Sequence, residues 1–534
     1  MRRHSLFAPF ALVLLVAVVA LVGIAASKAL PSSSKAEPSR SQSASGHVHG
    51  SLSSGRYAVA AKGKPPPLAK LTPTPYSEPK VISSRNGVLR VTFAPHDGSA
   101  IINGSRFKHT RTFTGTFPGP TLHVKPGDTI EMKFINKLSQ ITNLHFHGFR
   151  VSPAALADNV LRTIAPAVTS KSVRPRKSVK IIVHIPRDHE QGLYWYHPHL
   201  HGLVDGQVYP GLAGLIEVGD VLREIPWLRH IKRRVMALQA VGLRADGNLI
   251  NVNSPWLSTK TERNFVNGHY QPTLTIRPGE LQLWQIGNIS NDHWYKLSFG
   301  GRKFNVIGED GNPVGRTWAS KRLLVPPAKR YSILVRGPSA GTYYIRSLAF
   351  DQGFEKYGEY KLMKVVSRGG PVRPQKVPDI VSPRQAALIR DVQNDPVNRY
   401  RQLTFRIKPP FPNAFYINNK LYNPRRVDER VNLGQTEEWL LRNVSTEDHP
   451  FHIHTNDFIV EKINGHDVAI HNFQDVVSIP HIRHGKPGTV LIKQRYRTFE
   501  GEAVFHCHIL FHEDHSMMGN ILFGPRINNP SFGQ

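Results

Sequence analysis

An all-β fold made of β-sandwich domains is predicted by three features of this chain. Short apolar stretches alternate with turns rich in Gly and Pro, of which its 534 residues contain 42 and 41. A phrase recurs: Pro120–Asp128 reads Pro-Thr-Leu-His-Val-Lys-Pro-Gly-Asp and Pro272–Glu280 reads Pro-Thr-Leu-Thr-Ile-Arg-Pro-Gly-Glu, with a looser third copy at Val431–Glu437. Each copy turns at a glycine into a strand-like segment (Thr129–Ile135, Leu281–Ile286, Glu438–Leu441) that ends near Asn136, Asn288 or Asn443. Strands this short, so punctuated, stack as sandwiches.

In chain order, residues 1–29 read as a signal peptide or membrane anchor. Arg2 and Arg3 precede an uncharged apolar run, Phe7–Ala26, with small residues at its end. The run has about the length that spans a bilayer, so an uncleaved anchor is the alternative to a cleaved signal. The paired arginines also suggest twin-arginine export, although the motif around them is degenerate. Every route leads out of the cytoplasm, to a secreted or membrane-anchored protein of the cell envelope. Residues 30–78, rich in Ser, Pro, Ala and Lys, read as a low-complexity linker, with His47 and His49 in a solvated tail. Residues 79–222, 223–372 and 380–530 then read as three sandwich domains, one for each copy of the phrase.

The 69 basic and 38 acidic residues leave a formal charge of +31. Such a balance favours polyanionic surroundings such as cell wall, anionic lipid or humic material. No helix-turn-helix, zinc-finger or RNA-binding signature accompanies it, so nucleic acid is not expected as a partner.

The histidines follow the repeat. Eighteen and twenty residues after Gly127 stand His145 and His147, and at the same offsets from Gly434 stand His452 and His454. Five and seven residues after Gly192 come His197 and His199, and after Gly501 come His506 and His508. The middle repeat has Leu297 and Phe299, then Arg346 and Leu348, at the corresponding places. In a strand, residues two apart project to one face, so each pair is a two-pronged claw. Four claws from two related domains can meet at one interface, and eight imidazoles suit a cluster of several metals rather than one ion.

Cys507 is the only cysteine, so an internal disulfide is excluded. It lies between His506 and His508 and, in extended backbone, faces away from both. His512 follows five residues later, Met517 five after that, and His449 precedes the claw His452/His454. Two imidazoles, a thiolate and a weak axial thioether form the blue-copper electron-transfer set. Met518 leaves the axial sulfur open by one residue. Zinc accepts the same donors but has no redox role that would explain a direct link to a metal cluster.

These residues resemble the three-domain multicopper oxidases, the laccase-like enzymes, over roughly residues 81–524. The likeness rests on His145-Phe146-His147-Gly148, Trp195-Tyr196-His197-Pro198-His199, His449-Pro450-Phe451-His452-Ile453-His454, and His506-Cys507-His508 continuing to Met517. It implies three cupredoxin-like Greek-key domains, the middle one without copper, and four copper ions. His145 and His452 would hold the type 2 ion, and His147, His197, His199, His454, His506 and His508 the type 3 pair. His449, Cys507, His512 and Met517 would hold the type 1 ion. The implied reaction is one-electron oxidation of a small reducing substrate at the exposed edge of His449 or His512, coupled to four-electron reduction of dioxygen to water. Cys507 would carry the electrons between centres. Glu513 stands where similar enzymes place a proton-donating glutamate, and Asp158 resembles their outer-sphere aspartate, with a turn-forming Asp-Asn pair as its other reading. A self-sufficient monomer is expected, because both armed domains lie in one chain.

Other histidines are set aside: His201 as structural or outer-sphere, His515, His471, His481 and His484 as loop residues, and His293 as a relic or surface residue. The leading reading is oxidation of phenols. A metallo-oxidase for Cu(I), Mn(II) or Fe(II) is the alternative, and the six methionines, with no Met-rich segment, weigh against Cu(I). A copper-free scaffold relative is disfavoured by the intact ligand positions.

Overall fold

The computed structural model describes residues 64–167, 178–409 and 415–525. The signal or anchor segment, His47, His49 and the linker up to residue 63 lie outside the described residues.

Three two-sheet sandwiches follow one another, and the same wiring recurs in each. The strand before the repeat glycine (Thr121–Val124, Thr273–Ile276, Val427–Asn432) pairs in parallel with the last strand of its unit (Gly214–Val218, Tyr360–Ser367, Met518–Gly524). That strand pairs antiparallel with the strand opened by the second glycine (Gly192–His197, Gly341–Ser347, Gly501–Cys507). The claw strand, His145–His147, Tyr295–Ser298 or His449–Ile453, lies beyond it. The strand after the repeat glycine (Thr129–Phe134, Leu281–Asn288, Thr436–Asn443) enters the opposite sheet. Alternating side chains from both sheets fill each interior; in the first, Leu89, Ile130 and Phe134 meet Leu122, Tyr196 and Ile216.

Gly127, Gly279 and Gly434 have φ of +91°, +79° and +87°, a region in which a side chain would be strained. Downstream, Asn136, Asn288 and Asn443 perform one job three times. Each side-chain amide donates to two carbonyls, those of Gln140 and Ile164, His293 and Val325, or Glu447 and Ile479. Each side-chain oxygen accepts the backbone N–H two residues on. The loop leading to the claw strand is thereby pinned three times in the same way.

The wiring sets the claws in register: His145 lies directly opposite His197, and His452 opposite His506. Directly opposed side chains on antiparallel strands stand about 5 Å apart, so each armed sandwich presents four imidazoles as one patch. The middle sandwich departs from this. There Ser347, not Arg346, lies opposite Leu297, and the same strand carries a bulge between Ile345 and Arg346 where it pairs with the last strand.

One expectation is corrected. Residues 64–76, assigned by composition to a solvated linker, are bound to the body. Ala69 N donates to Leu243 O (2.8 Å), Tyr76 N to Thr273 O (3.0 Å) and the Tyr76 hydroxyl to Val235 O (2.9 Å). The extended, proline-rich chain carries unpaired backbone groups that neighbouring backbone can satisfy, and Leu68, Leu71 and Tyr76 give it apolar anchors.

The described α-helices are Val204–Val208, Pro383–Asn394 and Leu510–Asp514, and none is long and apolar enough to cross a membrane. The last carries His512 and Glu513. Its Asp514 carboxylate accepts Val204 N (3.0 Å) and Asp205 N (2.8 Å), which docks the third sandwich onto the first.

Candidate metal centre

The eight claw histidines meet between the first and third sandwiches. The His145 ring stacks on His454 at 4.0 Å between centroids, and the His147 ring on His452 at 3.9 Å. His145 and His452 are 6.2 Å apart. Their nitrogens gather as His145/His147/His452, His147/His197/His508 and His199/His454/His506, each group within 4.8 Å. Each of these trios draws one ring from one sandwich and two from the other.

Burial keeps seven of these rings uncharged. It depresses His145, His147, His452, His454 and His508 well below the usual imidazole range, His197 to about 3 and His199 to about 4, and neighbouring imidazoles add to the effect. Neutral imidazole is the form that binds metal. His145 Nε2, His147 Nδ1, His197 Nε2, His452 Nε2, His454 Nε2 and both nitrogens of His508 are buried without a protein partner, while His199 Nε2 and His506 Nε2 face each other at 3.1 Å. An unsatisfied buried nitrogen costs about 1–3 kcal/mol, so a cluster of them is intelligible only if ions satisfy it. The donor set fits copper.

The outer nitrogens of several of these rings are held by the protein, which fixes ring orientation. Asp158 places both carboxylate oxygens 3.0 Å from His145 Nδ1 and accepts Phe146 N–H; burial pushes its carboxyl up to about 8. The Asp158 carboxylate thus reaches His145 and Phe146 rather than the backbone of its own turn. His197 Nδ1 faces Pro198 O at 2.8 Å, and His452 Nδ1 faces Asp475 O at 2.9 Å. Glu513, fully buried, lies 3.0 Å from His506 Nδ1 and 3.4 Å from His199 Nδ1. Burial alone would raise its carboxyl, but those two imidazoles outweigh burial and hold it below the usual carboxylate range.

The second group is His449, Cys507 and His512. Cys507 Sγ stands 3.5 Å from Nδ1 of each histidine, and all three residues are fully buried. Burial pushes the Cys507 thiol up and holds His449 at about 3, so the thiol and that ring are neutral, and a soft cation would displace the thiol proton. Met517 shares a buried cluster with Cys507, Phe451 and Phe511, whereas Met518 packs with Val160 and Val504. Of the two methionines, Met517 is the one that shares the cluster of Cys507. Met517→Leu conserves volume and removes only a weak axial donor; it is expected to raise the potential of a type 1 ion while activity persists, read by redox titration of the blue band. The same shift from Met518→Leu would move the axial role by one residue.

The expected exposed edge of His449 or His512 is corrected, since neither ring has exposed surface. Ser445 Oγ lies 2.6 Å from His449 Nε2, and Glu447 Oε1 3.4 Å from His512 Nε2. Phe415 stacks on His512 at 4.4 Å. The hairpin around Phe350–Tyr357 of the middle sandwich adds a rim: Gln352 Nε2 donates to Glu447 Oε2 and to Asp448 O, both at 3.0 Å, and Asp448 N donates to Gln352 O at 2.7 Å.

Sequence reasoning missed Asp475 and Arg330. Arg330, from the middle sandwich, is fully buried and forms a two-pronged pair with Asp475 of the third at 2.7 and 2.6 Å. Asp475 Oδ1 in turn lies 3.3 Å from His147 Nε2 of the first. The three sandwiches meet at this point. Gly148 is needed there, since a Cβ would run into Arg330 Nη2 and Asp475 Oδ2. Arg330→Met should strand the Asp475 charge and cost about 3–5 kcal/mol, seen as a fall in the denaturant midpoint of the metal-free protein. An unchanged midpoint would show the pair to be dispensable.

The other histidines fall outside these groups. His201 packs edge-on against Tyr422 at 4.6 Å. His293, expected as a relic or a surface residue, is instead buried between Glu262 Oε2 and the Tyr360 hydroxyl, both at 3.1 Å, in the loop before the unarmed claw strand, where two polar partners offset its burial. His471, His481 and His484 lie outside strands and helices, while His515 follows the last helix and is buried against Phe511.

Three family models described as multicopper oxidase match residues 96–221, 230–358 and 392–526. A multicopper oxidase of Staphylococcus aureus is 24% identical over 459 residues, 83% of this chain and 91% of that protein. A laccase of Bacillus subtilis is 24% identical over 76% of this chain and 88% of its own length. Among solved structures, a multicopper oxidase from Campylobacter jejuni described as a metallo-oxidase superposes with a TM-score of 0.70 at 24% identity, covering 88% of this chain and 99% of that one.

Proposed function

The chain belongs to the multicopper oxidases, copper-dependent oxidoreductases that take electrons from a reducing substrate and give them to dioxygen, and we propose that its substrate is a phenol or similar organic donor. Bound copper would accept electrons singly and deliver four of them to dioxygen, forming water. The observation that carries the reading is the pair of buried donor sets, one thiolate-bearing and one of eight imidazoles, joined through consecutive residues 506–508. In this proposal His449, Cys507, His512 and Met517 hold the type 1 ion, and His145 with His452 the type 2 ion. The trios His147/His197/His508 and His199/His454/His506 hold the type 3 pair.

Cys507 gives the electron a covalent route, since its neighbours His506 and His508 belong to the cluster. Donors dock on the surface above Gln352, Glu447 and Phe415, the buried residues that cover the two rings, rather than on a bare imidazole edge. Asp158 orients His145, and Glu513 manages protons beside His199 and His506. The enzyme acts outside the cytoplasm, delivered or tethered by its N-terminal segment, as a monomer.

Glu447 supports a second reading. A carboxylate 3.4 Å from His512 Nε2 is a hard donor that suits Fe(II) or Mn(II). The test is kcat/KM of the copper-loaded protein for 2,6-dimethoxyphenol, Cu(I), Fe(II) and Mn(II), repeated on Glu447→Gln. The organic reading requires the phenol to lead and to survive the substitution. Preference for a metal ion, lost in Glu447→Gln, would overturn it in favour of a metallo-oxidase.

A further inference from the structure

Away from the copper centres, a cavity of about 1090 Å³ opens between the first and middle sandwiches. One wall is the hairpin formed by His96–Ile102 and Ser105–Thr112, and the other is the segment around residues 244–256. Lys64, Lys108, Arg111, Arg244 and His109 line it. The one carboxylate among its lining residues, Asp97, is committed: Oδ1 accepts Arg111 Nε at 2.8 Å, and Oδ2 accepts Ser139 N and Oγ at 3.2 and 3.3 Å. Even after Arg244 pairs with Asp246 at 2.6 Å, the lining retains an excess of positive charge. Below the cations lie Leu249, Ile250 and Tyr209, all buried, and Trp256 is partly exposed at the side.

The backbone is shaped for this cleft. The hairpin pairs Ser99 with Lys108 but Gly98 with Thr110, so His109 is a bulged extra residue, and its φ is +61°. Bulges re-aim side chains, and left-handed backbone at a bulky residue is uncommon without a local cause. The walls are locked together: Lys108 N donates to Gly247 O (2.8 Å), Leu249 N to Lys108 O (3.2 Å) and Arg111 Nη1 to Gly206 O (2.7 Å). A largely pre-formed cleft between domains, apolar below and charged at the rim, has the anatomy of a small-molecule site.

We propose that this cleft binds aromatic anions, rings bearing a carboxylate or sulfonate, as a site separate from the copper centres. The ring lies on the apolar floor beside Trp256, and the acid group is held by the cations of the hairpin and of Arg244. Neither element suffices alone: the floor would accept any ring, and the cations any small anion.

The test titrates the copper-loaded protein with 8-anilinonaphthalene-1-sulfonate and with its unsulfonated parent, N-phenyl-1-naphthylamine, following probe fluorescence in dilute salt. The sulfonate should bind at least about tenfold tighter than the parent, and Lys108→Glu combined with Arg244→Glu should remove that advantage. Trp256→Ala should weaken both probes. Lys420→Glu, an exposed charge reversal in the third sandwich, should change neither. The blue absorption of each variant reports an intact fold, and Lys108→Gln with Arg244→Gln serves if the reversals fail to fold. The proposal is overturned if the two probes bind equally, if Lys420→Glu weakens the sulfonate as much as the paired reversal does, or if the paired variant binds it unchanged. Full displacement of the probe by inorganic sulfate at matched ionic strength would also overturn it, by showing an anion site indifferent to the ring.

Discussion

Cys507→Ser is expected to abolish the blue absorption of the copper-loaded protein and to lower oxidase turnover by more than about 100-fold. Loss of an outer-sphere partner of a metal ligand already costs 10- to 100-fold, and here a ligand itself is removed. The thiolate is the polarizable donor from which the intense charge-transfer band arises, and a serine oxygen is too hard to replace it. Cys507 is also the one side chain placed 3.5 Å from both His449 Nδ1 and His512 Nδ1. Its peptide neighbours enter the imidazole cluster, so the electron path is cut where it begins. The cluster should persist, because none of its eight rings depends on the sulfur. Copper content should therefore fall by the type 1 ion alone, with the remaining ions detectable by electron paramagnetic resonance. A variant that keeps the blue band would refute the assignment of Cys507.

The parts that carry the chemistry were legible because they repeat. Positive-φ glycines at 127, 279 and 434 mark the same turn three times, and counting from them locates His145/His147 and His452/His454 without any structure. The strand period then places each pair on one face. The three asparagines at the ends of the following strands could have been read in the same way, since Asn136, Asn288 and Asn443 share a position in the repeat. What lacked a signature was contact between different repeats. Arg330 and Asp475 are 145 residues apart, and Gln352 and Glu447 are 95 apart. No periodicity links them, because each pair joins the unarmed middle sandwich to the third. The cover over His512 was missed for that reason. The middle sandwich looked like a spacer in the sequence, yet it supplies a buried cation at the cluster and a rim over the Cys507 site. Residues 64–76 were misread differently, since a composition typical of solvated linkers also suits an extended strap whose backbone groups find partners.

Glu513→Gln is expected to slow reoxidation by dioxygen by at least about tenfold while leaving reduction of the blue site intact. Dioxygen reduction consumes a proton for every electron, and the cluster is fully buried, so a side chain must take protons to it. Glu513 is a carboxylate beside two rings of one trio, 3.0 Å from His506 Nδ1 and 3.4 Å from His199 Nδ1, and unlike Asp475 it is not paired with an arginine. Those rings hold its carboxyl below the usual range, so at rest it is an anion facing both Nδ1 atoms. A relay role requires it to gain a proton as electrons arrive and then release it, which an amide of the same size cannot do. General acid–base catalysis is typically worth about 10²–10⁴-fold. The lower bound is set at tenfold because water can substitute in part. Stopped-flow measurement separates the half-reactions: bleaching of the blue band by excess phenol without dioxygen, and its return when dioxygen is admitted. Slow return with normal bleaching supports the relay. Normal return with slow bleaching would place Glu513 in electron input and end the proposal. Slowing of both by the same factor, with copper lost from the cluster, would reduce Glu513 to a residue that positions His199 and His506. Glu513→Asp distinguishes that case further, since it keeps the titratable group but shortens its reach. A relay should retain part of its rate and its pH dependence in the aspartate variant, whereas a pure positioning role should gain nothing from the restored charge.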